Sequence, residues 1–132
     1  MQEELNFSTS LGDVVDLTED VACVVTRSGV KSGLVNVFAP HATGVLFLGE
    51  SEQGINRDYV RLMKELAGEG KGWMHDRIDS NAHAHLRSAL FGASVTVPVV
   101  DGKMAVGVWQ RILFVENDRN RSRRVIVTVC NC

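Results

Sequence analysis

The amino-acid sequence predicts an α+β protein that forms one compact domain over residues 1–132, with about three helices packed on a mixed, mainly antiparallel sheet. The length is typical of a single domain with its own hydrophobic core. Three segments carry apolar residues at helical spacing, and the last third of the chain is rich in valine. Asp101-Gly102 separates two of these valine-rich runs and is typical of a two-residue hairpin turn.

Three helices are predicted from apolar periodicity together with residues that favour helix ends. Thr18 is expected to cap the first helix, which ends at Gly29, and the second helix begins at Gln53 and ends at Gly68. The third helix is expected over Asn81–Gly92, with Asn81 as its N-cap. The apolar residues expected to face the core are Val21, Val24 and Val25, then Ile55, Tyr59, Leu62, Met63 and Leu66, and finally Ala82, Leu86, Ala89 and Leu90.

Short runs of β-branched and aromatic residues predict the strands. Pro98 has no N–H to donate, so we expect its strand to be paired weakly there, at an edge or a bulge. The expected strands are Glu4–Phe7, Gly33–Ala39, Val45–Leu48, Ser94–Val100, Lys103–Trp109, Arg111–Val115 and Arg124–Cys130.

Composition excludes several classes of protein. The net charge is −2, which argues against a general nucleic-acid-binding surface, although Arg119–Arg124 is a local basic cluster. The chain lacks the run of about 18 apolar residues that a membrane-spanning helix needs, and its acidic N-terminus does not resemble a secretory signal. The three cysteines do not form a disulfide framework. We therefore expect a cytoplasmic protein with neither nucleic acid nor membrane as a partner.

All four histidines lie at the ends of predicted elements, which predicts one shared site. His41 follows a strand, His75 lies in the long polar loop before the third helix, and His83 and His85 lie near the start of that helix. Histidine titrates near neutral pH and ligates metals. Because residues two apart on a helix point in nearly opposite directions, only one of the last two can reach the site. We select His85.

Three polar side chains are candidates to act beside the histidines. Thr43 shares a strand-to-strand connection with His41, and Glu50 ends the following strand, where it can serve as a ligand or a base. Asn81 marks a helix N-terminus, whose free N–H groups and dipole attract anions such as phosphate.

A second group of candidates comes from the end of the chain. Gln110 and Glu116 have the same parity across a predicted strand and are expected to share one face. Arg121 and Arg123, at the start of the next strand, either pair with Glu116 or bind a phosphate through two hydrogen bonds. The sequence leaves both alternatives open.

Taken together, these segments resemble the YjbQ-like proteins, the UPF0047 family, over nearly the whole chain. The combination is specific because many short motifs occur in one order. The matching segments are Pro40-His41-Ala42-Thr43, Leu48-Gly49-Glu50, Met74-His75-Asp76, Asn81 to Leu86, Val97 to Lys103, Gly107 to Gln110, Glu116 and Arg121 to Arg124.

The resemblance implies a compact trimer with a cleft built around His41, His75 and His85. It implies that these histidines can hold a metal ion such as zinc, and that a diphosphate substrate can bring magnesium. The implied activity is that of a secondary thiamine-phosphate synthase, which joins a hydroxymethylpyrimidine diphosphate to a thiazole phosphate and releases pyrophosphate. Ala42 departs from the family, which usually has threonine at this position.

Under this hypothesis each candidate residue has a role. His41, His75 and His85 bind the metal or transfer protons, and Glu50 and Glu116 orient them. The residues expected to bind substrate and its phosphate groups are Thr43, Asn81, Gln110, Arg121 and Arg123.

Two other functions remain open from the sequence. Neutral histidines favour zinc, whereas magnesium prefers oxygen ligands, so one alternative is a zinc-dependent hydrolase of a phosphorylated or other small metabolite. The other alternative is a protein that binds a metal or an anion without catalysis.

Overall fold

The computed structural model describes residues 1–132 as eight strands and three α-helices. The strands are β1 (Gln2–Thr9), β2 (Val14–Asp16), β3 (Ser32–Phe38), β4 (Gly44–Gly49), β5 (Ser94–Val100), β6 (Lys103–Met104), β7 (Arg111–Glu116) and β8 (Arg121–Asn131). The helices are α1 (Thr18–Ser28), α2 (Gln53–Leu66) and α3 (Ala82–Phe91), and a 3₁₀ turn over Met74–Arg77 precedes α3. None of the helices has the length and apolar character needed to cross a bilayer.

Every pair of neighbouring strands is antiparallel, and the strands form two sheets. The larger sheet has the order β1-β8-β3-β5-β6, and the smaller sheet has the order β2-β7-β4. The predicted α+β class with about three helices is therefore confirmed. The sheets contain no parallel pair, so the antiparallel pairing is complete rather than mixed.

The main core lies between the inner face of the larger sheet, helix α1 and one face of the smaller sheet. It includes Val35, Val97 and Val127 from the large sheet, Val21 from α1 and Phe114 from β7. The other face of the smaller sheet is covered by α2, where Met63 packs with Val45 and Val115. Because both faces of this sheet are covered, β7 is buried at every position from Ile112 to Glu116, which explains its continuous apolar run.

The helix ends follow the predictions in position but not always in chemistry. Gly29 ends α1 with a left-handed conformation at φ 70°, as predicted. Thr18 is the first residue of α1 rather than its cap, because its hydroxyl donates to Asp16 at 2.6 Å instead of accepting an N–H of the first turn. Helix α2 is capped by the carboxylate of Glu52, which accepts from the N–H groups of Gly54 and Ile55.

The buried face of α3 differs from the predicted apolar stripe. Leu86 and Leu90 are 39% and 61% exposed, and only Ala82 of the predicted set is buried. The residues that face the protein are His83, Ala84, Arg87 and Ser88. Two of these residues bond to main-chain oxygens: the Ser88 hydroxyl donates to the Gly44 carbonyl at 2.7 Å, and Nε of Arg87 donates to the Ala67 carbonyl at 2.9 Å.

The strand predicted over Lys103–Trp109 ends after two residues, and Pro98 explains why. The Ala105 N–H donates to the Pro98 carbonyl at 2.8 Å, but proline has no N–H to return the bond. Pairing of β6 with β5 therefore stops at Met104. The following residues form a loop in which Val108 and Trp109 are 89% and 72% exposed.

The close approach of β3 and β8 predicts that Gly33→Ala destabilises the fold. A Cβ at Gly33 would lie 1.9 Å from the main-chain oxygen of Cys130, so the two strands must separate locally. We expect the free energy of unfolding to fall by about 1–3 kcal/mol or more, measured by urea denaturation. Ser32→Ala, at the exposed neighbouring position, is the control and should stay within about 0.5 kcal/mol of wild type; equal stability of the two variants would contradict the prediction.

Candidate functional site

A buried ion pair lies where the ends of β1, β7 and β8 meet the segment before β4. The Nε of Arg123 donates to Oε1 of Glu116 at 2.6 Å, and its Nη2 donates to Oε2. The two side chains are 4% and 0% exposed. Thr9 donates its hydroxyl to Oε1 of Glu116 at 2.5 Å, and Thr43 accepts from Nη2 of Arg123 at 2.9 Å. Of the two roles that the sequence left open for Arg123, the structure gives pairing with Glu116.

Asp118 continues this polar network toward the histidines. Its N–H donates to Oε2 of Glu116 at 3.1 Å, and its carboxylate accepts from Arg121 at 2.6 Å, from Asn81 at 3.3 Å and from Arg119 at 3.2 Å. Burial alone would raise the pKa of the Asp118 carboxyl, but these three donors outweigh burial, and the pKa lies below its usual range. Asp118 therefore remains ionised and holds both arginines at the edge of the site.

Asn81 connects Asp118 to His75 through two side-chain hydrogen bonds. Its Oδ1 lies 3.1 Å from Nε2 of His75, while its Nδ2 donates to Asp118. An amide oxygen only accepts, so this contact requires the proton of His75 to be on Nε2 and leaves Nδ1 unprotonated in the neutral ring. Asn81 occupies the predicted N-cap position of α3, but its side chain does not cap the helix.

The start of α3 is closed to an external anion by the protein itself. The Asp76 carboxylate accepts from the Ala82 N–H at 3.1 Å. A carboxylate thus already lies where the helix dipole would attract a phosphate. The structure therefore does not support the expected anion site at Asn81, and this residue instead orients a histidine.

His75 and His85 form the centre of a small cavity. Their ring centroids are 4.7 Å apart and the rings meet edge to face at 68°. The cavity has a volume of about 310 Å³, and Trp73, Met74 and Leu86 complete its largely apolar wall. His83, which the helical argument set aside, points elsewhere and is buried with its Nε2 3.6 Å from a Glu69 oxygen.

His41 lies at the other end of the network. Its Nε2 is 3.1 Å from both the N–H and the carbonyl oxygen of Arg124, so it accepts or donates according to tautomer. Partial burial, the charge of Arg123 and, more weakly, that of Arg124 lower the pKa of His41 below its ordinary value. Hydrogen bonds through Arg123, Glu116, Asp118 and Asn81 connect this region to His75.

The donor set does not fit the expected metal site. The chain contains no group of three or more His, Cys, Asp or Glu side chains placed to hold an ion. His75 and His85 are together, whereas His41 bonds to the main chain of Arg124. A zinc site needs at least three protein ligands, and magnesium prefers oxygen ligands. We therefore assign no chemical step to a metal.

Glu50 and Gln110 lie away from the other candidates. Gly44 pairs with Glu116 and Gly49 pairs with Arg111. Glu50, just after β4, and Gln110, just before β7, therefore lie at the opposite end of the small sheet, about 17 Å from Glu116 at strand spacing. Gln110 uses its side-chain oxygen to accept from the Gly107 N–H at 2.8 Å, and the Glu50 carbonyl accepts from Tyr59. Within this chain they do not join the histidines.

Sequence reasoning missed three residues that shape the site. Asp118 follows a buried strand directly, a position where an acidic side chain commonly meets partners, and this signal was available. Arg119, which the sequence places only in a basic cluster, is 53% exposed and bonds to Asp118 and to Asp79, each at 3.2 Å. Trp73 gave no signal beyond its place in a long loop, because its position depends on the Gly68 carbonyl that accepts from its indole N–H at 2.9 Å.

The buried pair predicts a strong and non-additive effect of mutation. Arg123→Met leaves the Glu116 charge buried without a partner, so the free energy of unfolding should fall by about 3–5 kcal/mol. The double variant Arg123→Met/Glu116→Leu should regain most of this loss, because it removes both charges. Urea denaturation of wild type, of the single variants Arg123→Met and Glu116→Leu and of the double variant gives a double-mutant cycle. Losses in the free energy of unfolding that simply add would contradict the pairing.

The lowered pKa of His41 predicts a titration below the usual value of about 6.5, measured by NMR of the ring protons. His41 therefore takes up a proton at a higher pH in the unfolded chain than in the folded chain. The contribution of neutral His41 to the stability of the fold is present above a pH of about 6.5 and is lost as the pH falls. Arg124→Gln removes one nearby charge and should raise the midpoint. Arg27→Gln, an exposed arginine paired with Glu3, should leave it unchanged; equal effects of the two variants would refute the assigned cause.

Comparisons with known proteins agree with the fold and the motifs. The sequence profile of the family described as UPF0047 protein YjbQ-like matches residues 3–132. A UPF0047 protein of Archaeoglobus fulgidus is 50% identical over 116 residues, covering 87% of this chain and 89% of the relative. One from Methanothermobacter thermautotrophicus is 38% identical over 128 residues, covering 96% and 90%.

Solved structures give the same result. A YbjQ-like protein of unknown function from Sulfolobus solfataricus P2 has a TM-score of 0.92 at 33% identity, over 100% of this chain and 99% of that chain. A hypothetical protein from Aeropyrum pernix K1 has a TM-score of 0.90 at 36% identity, over 98% and 99%. By sequence and by fold, the chain belongs to the UPF0047 YjbQ-like family.

Proposed function

We propose that the chain is a transferase of small phosphorylated substrates with the activity of a thiamine-phosphate synthase. It would join a hydroxymethylpyrimidine diphosphate to a thiazole phosphate and release pyrophosphate. The observation that carries the proposal is a pair of histidines, 4.7 Å apart, that lines an apolar cavity and connects through Asn81 and Asp118 to two arginines. The resemblance of the motifs to the synthase family supplies the identity of the substrates.

The cavity suits a small aromatic ring. Its volume of about 310 Å³ lies at the lower end of the range for small-molecule sites. The Trp73 ring offers an aromatic face for stacking, and Leu86 adds apolar contact. A pyrimidine or thiazole ring is of this size and character.

Arg119 and Arg121 are suited to bind the phosphate groups. Their side chains are 53% and 40% exposed, and both are anchored to Asp118. Each guanidinium keeps N–H groups that Asp118 does not use, and a planar guanidinium binds phosphate through paired hydrogen bonds. Arg123, which is 4% exposed, has a positioning role through Glu116.

The chemistry assigns a specific task to the histidines. The thiazole ring nitrogen attacks the methylene carbon of the pyrimidine, the carbon–oxygen bond to the diphosphate breaks, and its electron pair leaves with pyrophosphate. The attacking nitrogen carries no proton, so no base is required for this step. The N–H of His75 already donates to Asn81, so the imidazole of His85 instead donates a hydrogen bond or a proton to the departing oxygen.

The alternatives from the sequence have less support. A zinc-dependent hydrolase requires three protein ligands, and the chain brings together two histidines. Binding without catalysis uses the same cavity and arginines, so the activity measurement below decides between binding and transfer.

We also propose that the protein is a homotrimer, as the family resemblance implies. Leu34, Phe38 and Val100 are 42%, 43% and 55% exposed on strands of the large sheet, and apolar patches of this kind mark interaction surfaces. Light scattering after gel filtration should give about three times the 14.5 kDa of one chain. A mass of one or two chains would contradict the trimer.

The synthase proposal predicts that purified protein forms thiamine phosphate and pyrophosphate from the two precursors. His85→Ala should lower kcat by about 10²-fold or more because the leaving group loses its donor. Arg121→Gln should raise KM by about tenfold because a charge-assisted phosphate contact is lost. Arg27→Gln, an exposed arginine paired with Glu3, is the matched control and should leave both constants unchanged.

Two outcomes would refute the transferase. One is a lack of product from wild-type protein supplied with both precursors and magnesium. The other is activity that persists in His85→Ala. Thermal shifts with each precursor, without turnover, would leave binding as the function of the cavity.

A further inference from the structure

The largest concave surface of the protein lies on α2, away from the histidine cavity. It has a volume of about 540 Å³ and runs between α2 and the turn before β2. One wall is formed by Arg57, Arg61 and Lys64 of α2. The volume lies within the range of small-molecule sites.

The basic side chains of this groove form one face of the helix. Positions 57, 61 and 64 follow the spacing of four and three residues that places side chains side by side. Like charges at this spacing destabilise a helix. The helix therefore carries an unfavourable cluster of positive charge that the fold itself does not require.

The protein neutralises most of its arginines but leaves this groove largely positive. Neither Arg57 nor Lys64 pairs with a carboxylate, and Arg61 pairs only with exposed Glu65 at 2.9 Å. The other arginines that pair with carboxylates are Arg27, Arg111, Arg119, Arg121, Arg123 and Arg124. With a net charge of −2 over the whole chain, the positive groove is a local feature.

The opposite wall is fixed by main-chain hydrogen bonds. The Gly12 N–H donates to the Glu116 carbonyl at 2.9 Å, and the Glu116 N–H donates to the Asp13 carbonyl at 3.0 Å. Asp13 is the one carboxylate that lines the groove, and its Oδ2 already accepts from the Ser10 N–H at 2.8 Å. Asp13 forms no ion pair with the basic side chains across the groove.

We propose that this groove is a second binding site for a diphosphate group, either as inorganic pyrophosphate or as part of a nucleoside diphosphate. Arg57 and Lys64 supply free charge-assisted donors, and Arg61 lies between them on the same face. The inference does not rest on the proposed transferase, since the groove shares no residue with the histidine cavity.

The test is a titration of ¹⁵N-labelled full-length protein with inorganic pyrophosphate and, separately, with ADP, at constant ionic strength. We expect saturable shifts of the amides of Gly12 and of residues 56–64. Arg57→Glu/Lys64→Glu should weaken this binding by about tenfold or more because two charged contacts are lost. Lys31→Glu/Lys103→Glu makes the same change of charge elsewhere and should leave the affinity unchanged.

Each result decides the inference. Saturation by pyrophosphate alone assigns the inorganic ion, and saturation by both assigns the diphosphate group as the recognised feature. Shifts confined to residues 73–86, or shifts at 56–64 that persist in the charge-reversed variant, would overturn it. Unchanged circular dichroism of both double variants excludes misfolding, and amides near His75 and His85 report the transferase site separately.

Discussion

The ion pair between Glu116 and Arg123 is the constraint on which the candidate site depends. Burying two charges costs more free energy than their attraction returns unless every donor and acceptor finds a partner. Here Thr9 and Thr43 meet the remaining groups, and the Asp118 N–H completes the set. Glu116 fixes Asp118, and Asp118 in turn fixes Asn81. Asn81 then orients His75. The position of His75 therefore depends on an ion pair that is buried between strands and does not itself line the histidine cavity.

Arg123, Arg87 and Arg57 differ in burial and in whether a carboxylate neutralises their charge. Arg123 is buried and neutralised by Glu116. Arg87 is also buried, but it donates only to the Ala67 carbonyl and the Asn117 amide, and its Nη2 has no partner. Burial accordingly lowers the pKa of Arg87, although nearby Glu69 opposes this. Arg57 is exposed and unpaired. Position relative to a carboxylate, rather than residue type, thus decides which arginine holds the fold together and which is free to meet a ligand.

Sequence patterns predicted the elements better than the contacts between polar residues. Period-two and helical patterns located the three helices and most of the strands, because burial of apolar residues produces both patterns; β2 was not predicted, and β6 is shorter than predicted. The face of α3 was wrong because its buried side chains, Arg87 and Ser88 among them, are polar and are satisfied by carbonyls distant in sequence. The sequence predicted one shared site for His41, His75 and His85. The structure places His75 against His85 and places His41 against the main chain of Arg124, a contact that depends on the register between strands. Periodicity reports burial and gives no information on which distant polar groups meet.

The place of β8 in the larger sheet has a consequence for synthesis of the protein. This strand lies between β1 and β3, and the amine of Met1 bonds to the Val129 carbonyl across 128 residues of chain. During synthesis on the ribosome, β1 is therefore unpaired until almost all of these residues have been translated, because β8 is its only strand partner. Such long-range pairing slows folding, and an unpaired strand edge invites contact with other nascent chains. The two acidic residues Glu3 and Glu4 near the beginning of β1 give the unpaired strand some protection from aggregation.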